Sequence, residues 1–471
     1  LAGPAGAALE ENQVLPRTVI HPLVGRFIGR VTRLVVLPAT LLTTSSNAWS
    51  DMNGPSQASP PRAAPVGALL RDERALGEWV ARLHAEVRAA DARITQAQAD
   101  VSTSRLVQNP TLDTTLGGLT VGPRNPTTLS FGETMNVSVG LTQTIELGKR
   151  GPRIEAAELR AEAAKRAFAG TLADRIADAR LALGRVTYLE ARRAVLTDGL
   201  LSAKKGAELE KARLDQGGTS GNDYDRMLLD VINLETEVAR ARAEVDAALA
   251  SCQGALFAAC DTRGLDAADL DAAAPLPGAG TPADLTRRPD IEATRLEGAA
   301  AEQDAILARR RAIPDPSVRL GYLRDNLTFA GNQANTLSIG VSIPLPIFDR
   351  GQHDARKAIA RSAEQRHLAD AMVSSAEAGL RALSARRAFL DTTLSTLAAT
   401  AIPKSASVLD TTSKAFAQGQ VGLTDLLLAR RAHLALVLTQ LDLRFDFFSV
   451  RNELRRVLFL DEQRARDGAS R

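Results

Sequence analysis

An alternating strand running into a long helix occurs twice in this chain, about 200 residues apart, and that duplication limits the fold more than any other feature. Val137-Ser138-Val139-Gly140-Leu141 recurs as Leu337-Ser338-Ile339-Gly340-Val341. Ile145-Glu146-Leu147-Gly148-Lys149-Arg150-Gly151 recurs as Leu345-Pro346-Ile347-Phe348-Asp349-Arg350-Gly351, and Gln216-Gly217 with Asp223 recurs as Gln418-Gly419 with Asp425. A period this long marks a tandem, domain-sized repeat whose halves should pack as pseudo-symmetric copies.

Each repeat carries one hairpin. From Met135 to Leu147 and from Leu337 to Ile347, apolar residues hold every odd position but Gln143, and small or polar residues hold the even ones. Weaker strands precede them over 111–121 and 317–327, introduced by Asn109-Pro110 and Asp315-Pro316, with polar, turn-rich loops between. Strands of this length with one apolar face fit a lipid-facing barrel wall. A soluble sandwich with one buried face would show the same alternation; the export signal and long helices favour the barrel. Four strands cannot close a barrel, and open edges are not tolerated in a bilayer. Closure therefore needs further copies, and three copies leave a wider lumen than two.

Helices supply the remaining length. They are expected over 152–215, 222–250, 351–418 with a break at Pro403, and 424–460, with shorter ones over 69–108 and 290–312. Sixty-odd helical residues reach about 95 Å. Only 4% of residues are aromatic, and the abundant Ala suits helices packed side by side. The formal charge of +3 is nearly balanced, with no basic block interleaved with aromatics, which argues against a nucleic-acid partner.

Arg26, Arg30 and Arg33 precede the apolar run Leu34 to Leu42 and the small-residue run Ala48-Trp49-Ser50, the layout of an export signal. The expected organisation is a leader over 1–50, a flexible linker over 51–68, repeat one over 69–261, a connector over 262–287, repeat two over 288–460 and a tail over 461–471. Cys252 and Cys260 fit a disulfide closing a small loop, provided that the helix breaks near Gly254; two free thiols are the other reading. His21, His84, His353, His367 and His433 are scattered, so neither a metal site nor a cofactor is expected. No catalytic constellation stands out, and the chain is not read as an enzyme.

The hairpin-into-helix duplication, with Leu106-Val107-Gln108-Asn109-Pro110, Thr142-Gln143-Thr144-Ile145-Glu146-Leu147-Gly148-Lys149-Arg150, Arg288-Pro289-Asp290-Ile291, Pro314-Asp315-Pro316, Ile343-Pro344-Leu345-Pro346-Ile347-Phe348-Asp349-Arg350-Gly351 and Leu423-Thr424-Asp425-Leu426-Leu427, resembles the TolC-type outer-membrane factors. The likeness covers roughly residues 70–460. The Glu-Leu-Gly-Lys-Arg-Gly run after the first hairpin is similar to the CzcC-like branch that serves heavy-metal pumps. The resemblance implies a mainly α fold with a β-barrel portion: a homotrimer with a twelve-stranded barrel in the outer membrane of a Gram-negative cell and a twelve-helix periplasmic tunnel. It implies passive conduction, with a periplasmic adaptor and an inner-membrane pump of the resistance-nodulation-division type as partners. Heavy-metal cations are the expected cargo, with drug efflux or type I protein secretion as the alternative. Thr144 and Glu146 depart from the pattern by standing where repeat two has Pro344 and Pro346, which leaves the first strand-to-helix bend open.

The same resemblance places the two turns at the periplasmic tip. Gly217, Gly218, Gly419, Val421, Gly422 and Leu423 are then the adaptor-docking residues, although a bare helix-turn-helix bend explains the glycines equally well. Asp425, with Asp223 as its counterpart, is implied as a pore carboxylate near the closed end; capping of the return helix beside Thr424 is the rival role.

Overall fold

The computed structural model describes residues 63–460, apart from 119–121, 124–126, 273–275, 277–283 and 328–332. The export signal and the tail lie outside the described residues. In chain order the elements are β1 (Ala64–Pro65), α1 (Val66–Arg71), α2 (Glu73–Leu83), α3 (Ala85–Ser104), β2 (Thr111–Gly117), α4 (Phe131–Thr134), β3 (Asn136–Thr144), α5 (Arg150–Asp215), α6 (Gly221–Leu256), β4 (Cys260–Asp261), α7 (Asp269–Ala272), α8 (Pro289–Arg309), β5 (Ser317–Asp325), β6 (Asn335–Ser342), α9 (Gln352–Thr396), α10 (Ile402–Ala417) and α11 (Leu423–Val457). A five-residue π-helical segment, Leu397–Ala401, joins α9 to α10.

The four long strands form one antiparallel sheet in the order β2-β3-β5-β6, so the two hairpins pair through β3 and β5. Register stacks Leu112, Leu141, Leu320 and Ile339 in one row and Thr114, Val139, Tyr322 and Leu337 in the next but one. Alternation puts Asp113, Gly140, Gly321 and Ser338 on the opposite face. Both β2 and β6 keep an unpaired outer edge within the sheet.

The strands leave the sheet differently in the two repeats. In repeat two, Pro344 and Pro346 end the ladder after Ser342, and the chain turns at Gly351, whose φ is +74° and whose added Cβ would lie 2.0 Å from the Ala308 carbonyl oxygen. Repeat one lacks those prolines, and its turn comes earlier, at Gly148 with φ +72°. Polar contacts hold it: Asp315, from the start of the other repeat's strand, accepts from the Leu147 N–H at 3.0 Å and from Lys149 Nζ at 2.7 Å. Arg153 forks onto Glu146 and also donates to the Ser104 and Leu106 carbonyls.

At 66 residues, α5 is about 100 Å long and packs against α3, α6, α8 and α11. Its middle forms the main core with α1, α2, α6 and α11 through Leu70, Leu76, Leu183, Val186, Leu256 and Phe448. Two arginines are fully buried there: Arg180 donates to Asn452 Oδ1 at 3.0 Å, and Arg455 to Glu73 Oε2 at 2.8 Å. These bonds fasten the last helix to the first half of the chain.

Several boundaries differ from expectation for identifiable reasons. The helix expected over 69–108 is three helices, because Asp72 accepts from the Arg74 and Ala75 N–H groups and His84 Nδ1 from that of Glu86, capping two new starts. The linker expected over 51–68 ends sooner: Ala64 and Val66 are completely buried, and Ala64 pairs with Cys260 in a two-residue parallel bridge. Strands β3 and β6 stop three and five residues short of the ends read at 147 and 347, where the bends above interrupt the ladder. Between β2 and β3 lies a short helix with a Ser130/Glu133 capping box, in a segment read as plain loop. Cys252 and Cys260 form a disulfide, and the helix break that permits it is at Phe257, with φ +54°, rather than at Gly254. The connector is anchored to the helices: Leu270 is completely buried, and Asp269 and Asp271 pair with Arg71 and Arg444.

Candidate functional site

The two helix turns are built alike. In the first, the Gly217 N–H donates to the Leu214 carbonyl at 2.9 Å and the Gly218 N–H to that of Arg213 at 2.8 Å; in the second, Gly419 donates to Phe416 at 3.0 Å and Gln420 to Ala415 at 2.9 Å. This closing pattern needs a left-handed residue, and φ is +70° at Gly217 and +72° at Gly419. Those two glycines are therefore explained by the turn. Gly422 is not: its φ is −77°, and an added Cβ would meet only an Asp425 oxygen, at 3.9 Å.

The repeats diverge at the next helix start. Ser220 accepts from the Asp223 N–H at 3.1 Å and donates to Asp223 Oδ2 at 2.8 Å, while Arg226 stands 3.6 Å from the other oxygen. Gly422 replaces Ser220 in repeat two, so α11 has no side-chain cap. Asp425 is exposed, and its carboxylate has no hydrogen-bond or ion-pair partner among the described residues. Of the two carboxylates singled out from the sequence, Asp223 is thus engaged in capping and Asp425 is free. Gly217, Gly218, Gly419 and Gly422 are exposed and Val421 is half-buried. Leu423 turns inward, 6% exposed, and packs with Met227, Leu427 and Ala203. Its apolar side chain serves the core beneath the turns rather than the docking surface.

Polar links tie the two turns together. The Arg213 guanidinium lies 4.6 Å above the Phe416 ring and donates to the Phe416 and Ala417 carbonyls at 3.2 and 3.3 Å. Within the first turn itself, Glu210, almost fully buried, accepts from Thr219 Oγ1 at 2.6 Å. Further from the turns, Arg431 donates to Asp230 Oδ1 from Nε at 2.9 Å, with Nη2 at 2.8 Å. The Asp230 side chain is 4% exposed and its Oδ2 has no hydrogen-bond partner. Beside it, burial holds the Arg430 guanidinium below its ordinary pKa against the opposing pull of Asp230. The sequence reading missed this pair. A signal was present: Met227, Asp230, Val231 and Leu234 fall at helical spacing, and the acid interrupts an apolar stripe.

At the other end, the sheet presents its apolar face bare. Leu337, Ile339 and Val341 are each at least 65% exposed, and Phe348 below them 91%. Exposed apolar area on this scale marks a contact with lipid or protein. No described helix is long and apolar enough to cross a membrane, and no cluster of His, Cys, Asp or Glu among the described residues could hold a metal ion. His84 caps a helix, His433 Nδ1 is 2.9 Å from Ser405 Oγ, and His353 contacts Arg356.

A bare apolar sheet, long paired helices and duplicated turns are the parts of an outer-membrane duct, and the family model for outer membrane efflux proteins matches residues 81–256 and 283–458. The chain belongs to that family. Each matched segment contains one hairpin and one turn, so the likeness extends over both repeats of this outer membrane efflux protein. It is 29% identical over 350 residues to the cobalt-zinc-cadmium resistance protein CzcC of Cupriavidus metallidurans, covering 73% of this chain and 79% of CzcC. With the nickel and cobalt resistance protein CnrC of the same organism it shares 28% over 309 residues, covering 64% and 68%. Among solved structures, CusC superposes with a TM-score of 0.71 at 17% identity, over 86% of this chain and 95% of CusC. The open-state MtrE outer membrane channel of Neisseria gonorrhoeae does so with 0.68 at 18%, over 82% and 88%. At those identities the likeness is one of fold. Family and fold are those of channel proteins.

Proposed function

We propose that this outer membrane efflux protein is the exit duct of a three-part efflux system of the resistance-nodulation-division type. Three copies join their sheets into a twelve-stranded barrel in the outer membrane and their helices into a tunnel across the periplasm. One observation carries the reading: a four-stranded sheet with a bare apolar face and two unpaired edges, which a bilayer accepts only once closed. The duct moves its cargo passively, and energy comes from an inner-membrane pump reached through a periplasmic adaptor.

Heavy-metal cations are the cargo on this reading. Support comes from relatives named for resistance to cobalt, zinc, cadmium and nickel. Asp425, exposed and unpartnered, is suited to a three-carboxylate ring at the tip that attracts cations. Asp223 contributes less, because its charge is engaged by Ser220 and Arg226. The exposed turns around Gly217, Gly218, Gly419, Val421 and Gly422 receive the adaptor. Gly422 is the strongest docking residue, since neither its backbone nor its surroundings in the chain call for glycine.

The reading is tested by mass and by phenotype. Detergent-solubilised protein should have three times the mass of the chain freed of its export leader. A monomer that stays soluble without detergent would refute the barrel. Deleting the gene should sensitise cells to zinc, cobalt or cadmium; sensitivity to drugs alone would assign the duct to drug efflux.

A further inference from the structure

Among the described residues, Arg319 is the only basic strand residue on the sheet's polar face. Its side chain does not stand off the sheet. It lies across Gly140 on the neighbouring strand, where an added Cβ would be 2.8 Å from both Nε and Nη2 and 3.1 Å from Cζ. Gly140 is buried beneath this guanidinium, and Asp113 on β2, directly opposite Gly140, waits at the far side with its carboxylate 3.9 Å from Nη2. Both charged side chains remain about half exposed, so attraction alone would not fix the arm. The missing side chain at position 140 supplies the groove that does.

We propose that Asp113 and Gly140 hold Arg319 flat and charge-compensated along the water-facing wall of the barrel, making these residues determinants of its cation permeability. The inference rests on the duct reading. In a trimer, three extended guanidinium groups at one height would form a cationic ring opposing the passage of metal ions. Laid against Asp113, the same three add no net positive charge, and their arms stay clear of the lumen. Asp325, further along the same face, leaves its described strand residues net acidic.

Ser338 offers the probe position. It lies in the same cross-strand row as Asp113, Gly140 and Gly321 and is exposed. In the Ser338→Cys trimer, the rates of modification by a cationic and an anionic methanethiosulfonate report the local potential, whatever the state of the tip. Adding Asp113→Asn or Gly140→Ala should shift the rate ratio toward the anionic reagent, and adding Arg319→Gln toward the cationic one, each by roughly threefold. Gly140→Ala asks only a flexible arm to move, so it assembles even if the charge variants do not. A reactive cysteine whose ratio is the same in every assembled variant overturns the inference and leaves the duct standing. A cysteine unreactive in every variant shows that this face does not meet water, which overturns the barrel reading itself.

Discussion

Removing the Asp230–Arg431 pair should loosen the tip. The bond joins the return helices of the two repeats, α6 and α11, so any motion that separates them must break it. Charge-assisted hydrogen bonds contribute about 1.5–3 kcal/mol in proteins. Here the Arg431 side chain is 58% exposed, so water recovers part of that on opening, while the buried Asp230 Oδ2 lacks a partner while the pair is made. A net of about 1–2 kcal/mol per copy is reasonable, or roughly a 5- to 30-fold shift of each copy's opening equilibrium. Arg431→Ser is the cleaner perturbation, because Asp230→Asn also strips half-buried Arg430 of the carboxylate that offsets its burial. In planar bilayers Arg431→Ser should raise open probability, and Asp230→Asn combined with Arg431→Ser should exceed it little, as expected for partners in one bond. Full additivity of the two substitutions, or wild-type gating in both, would refute the lock.

Asp425→Ala should raise single-channel conductance if like-charged carboxylates and their bound cations narrow the tip, and an unchanged conductance would remove Asp425 from the pore. Gly422→Trp should lower adaptor affinity at least tenfold in a pull-down titration while the trimer persists in detergent, because no contact within the chain opposes a side chain there. Burial pushes the His84 imidazole below its ordinary pKa, with Glu86 and Asp178 opposing and Arg175 assisting. The folded chain therefore binds its proton less readily than the unfolded one, and His84 contributes stability above about pH 6.5 that is lost as pH falls below it. His84→Asn retains an acceptor for the Glu86 N–H and should flatten the fall in thermal midpoint between pH 7.5 and 5.5, as measured by scanning fluorimetry on the detergent-solubilised trimer.

Elements that repeat a local period were the legible part of the fold. The alternation of Val137, Val139 and Leu141 marks β3, and the run from Pro152 to Asp215 marks α5, because each records a face in one residue type. The ends of those elements were less legible, since they depend on partners distant in sequence. The β3 ladder ends where Asp315, 168 residues away, takes the Leu147 N–H, and nothing local to Leu147 announces that. Likewise, Asp72 and His84 start new helices only because their side chains reach back to backbone donors. The glycine-rich turns were legible, yet their roles divide only by φ: Gly217 and Gly419 are demanded by the backbone, and Gly422 is not. Asp230 was less legible because it works alone within an apolar stripe, and its partner Arg431 lies 201 residues away.

The duplication also identifies which half of the tip is built to yield. Repeat one descends in a single unbroken helix of 66 residues, closes its turn on a serine cap, and ties its aspartate to that serine. Repeat two descends through the π-helical segment Leu397–Ala401, followed by Pro403, which has no N–H to offer the preceding turn. Its turn starts α11 without a side-chain cap and leaves Asp425 unbound. An uncapped start forgoes about 0.5–2 kcal/mol, and a proline breaks the ladder that would resist bending. Cross-repeat contacts, Arg213 on the Phe416 ring and Arg431 on Asp230, therefore hold a pliant hairpin against a stiff one. On the duct reading, that difference predicts opening by displacement of repeat two against a fixed repeat one, and spin-label distances between α10 and α5 should then broaden on opening while those between α5 and α6 stay fixed. Asp425 and Gly422, the proposed pore and docking residues, both lie on that more pliant hairpin.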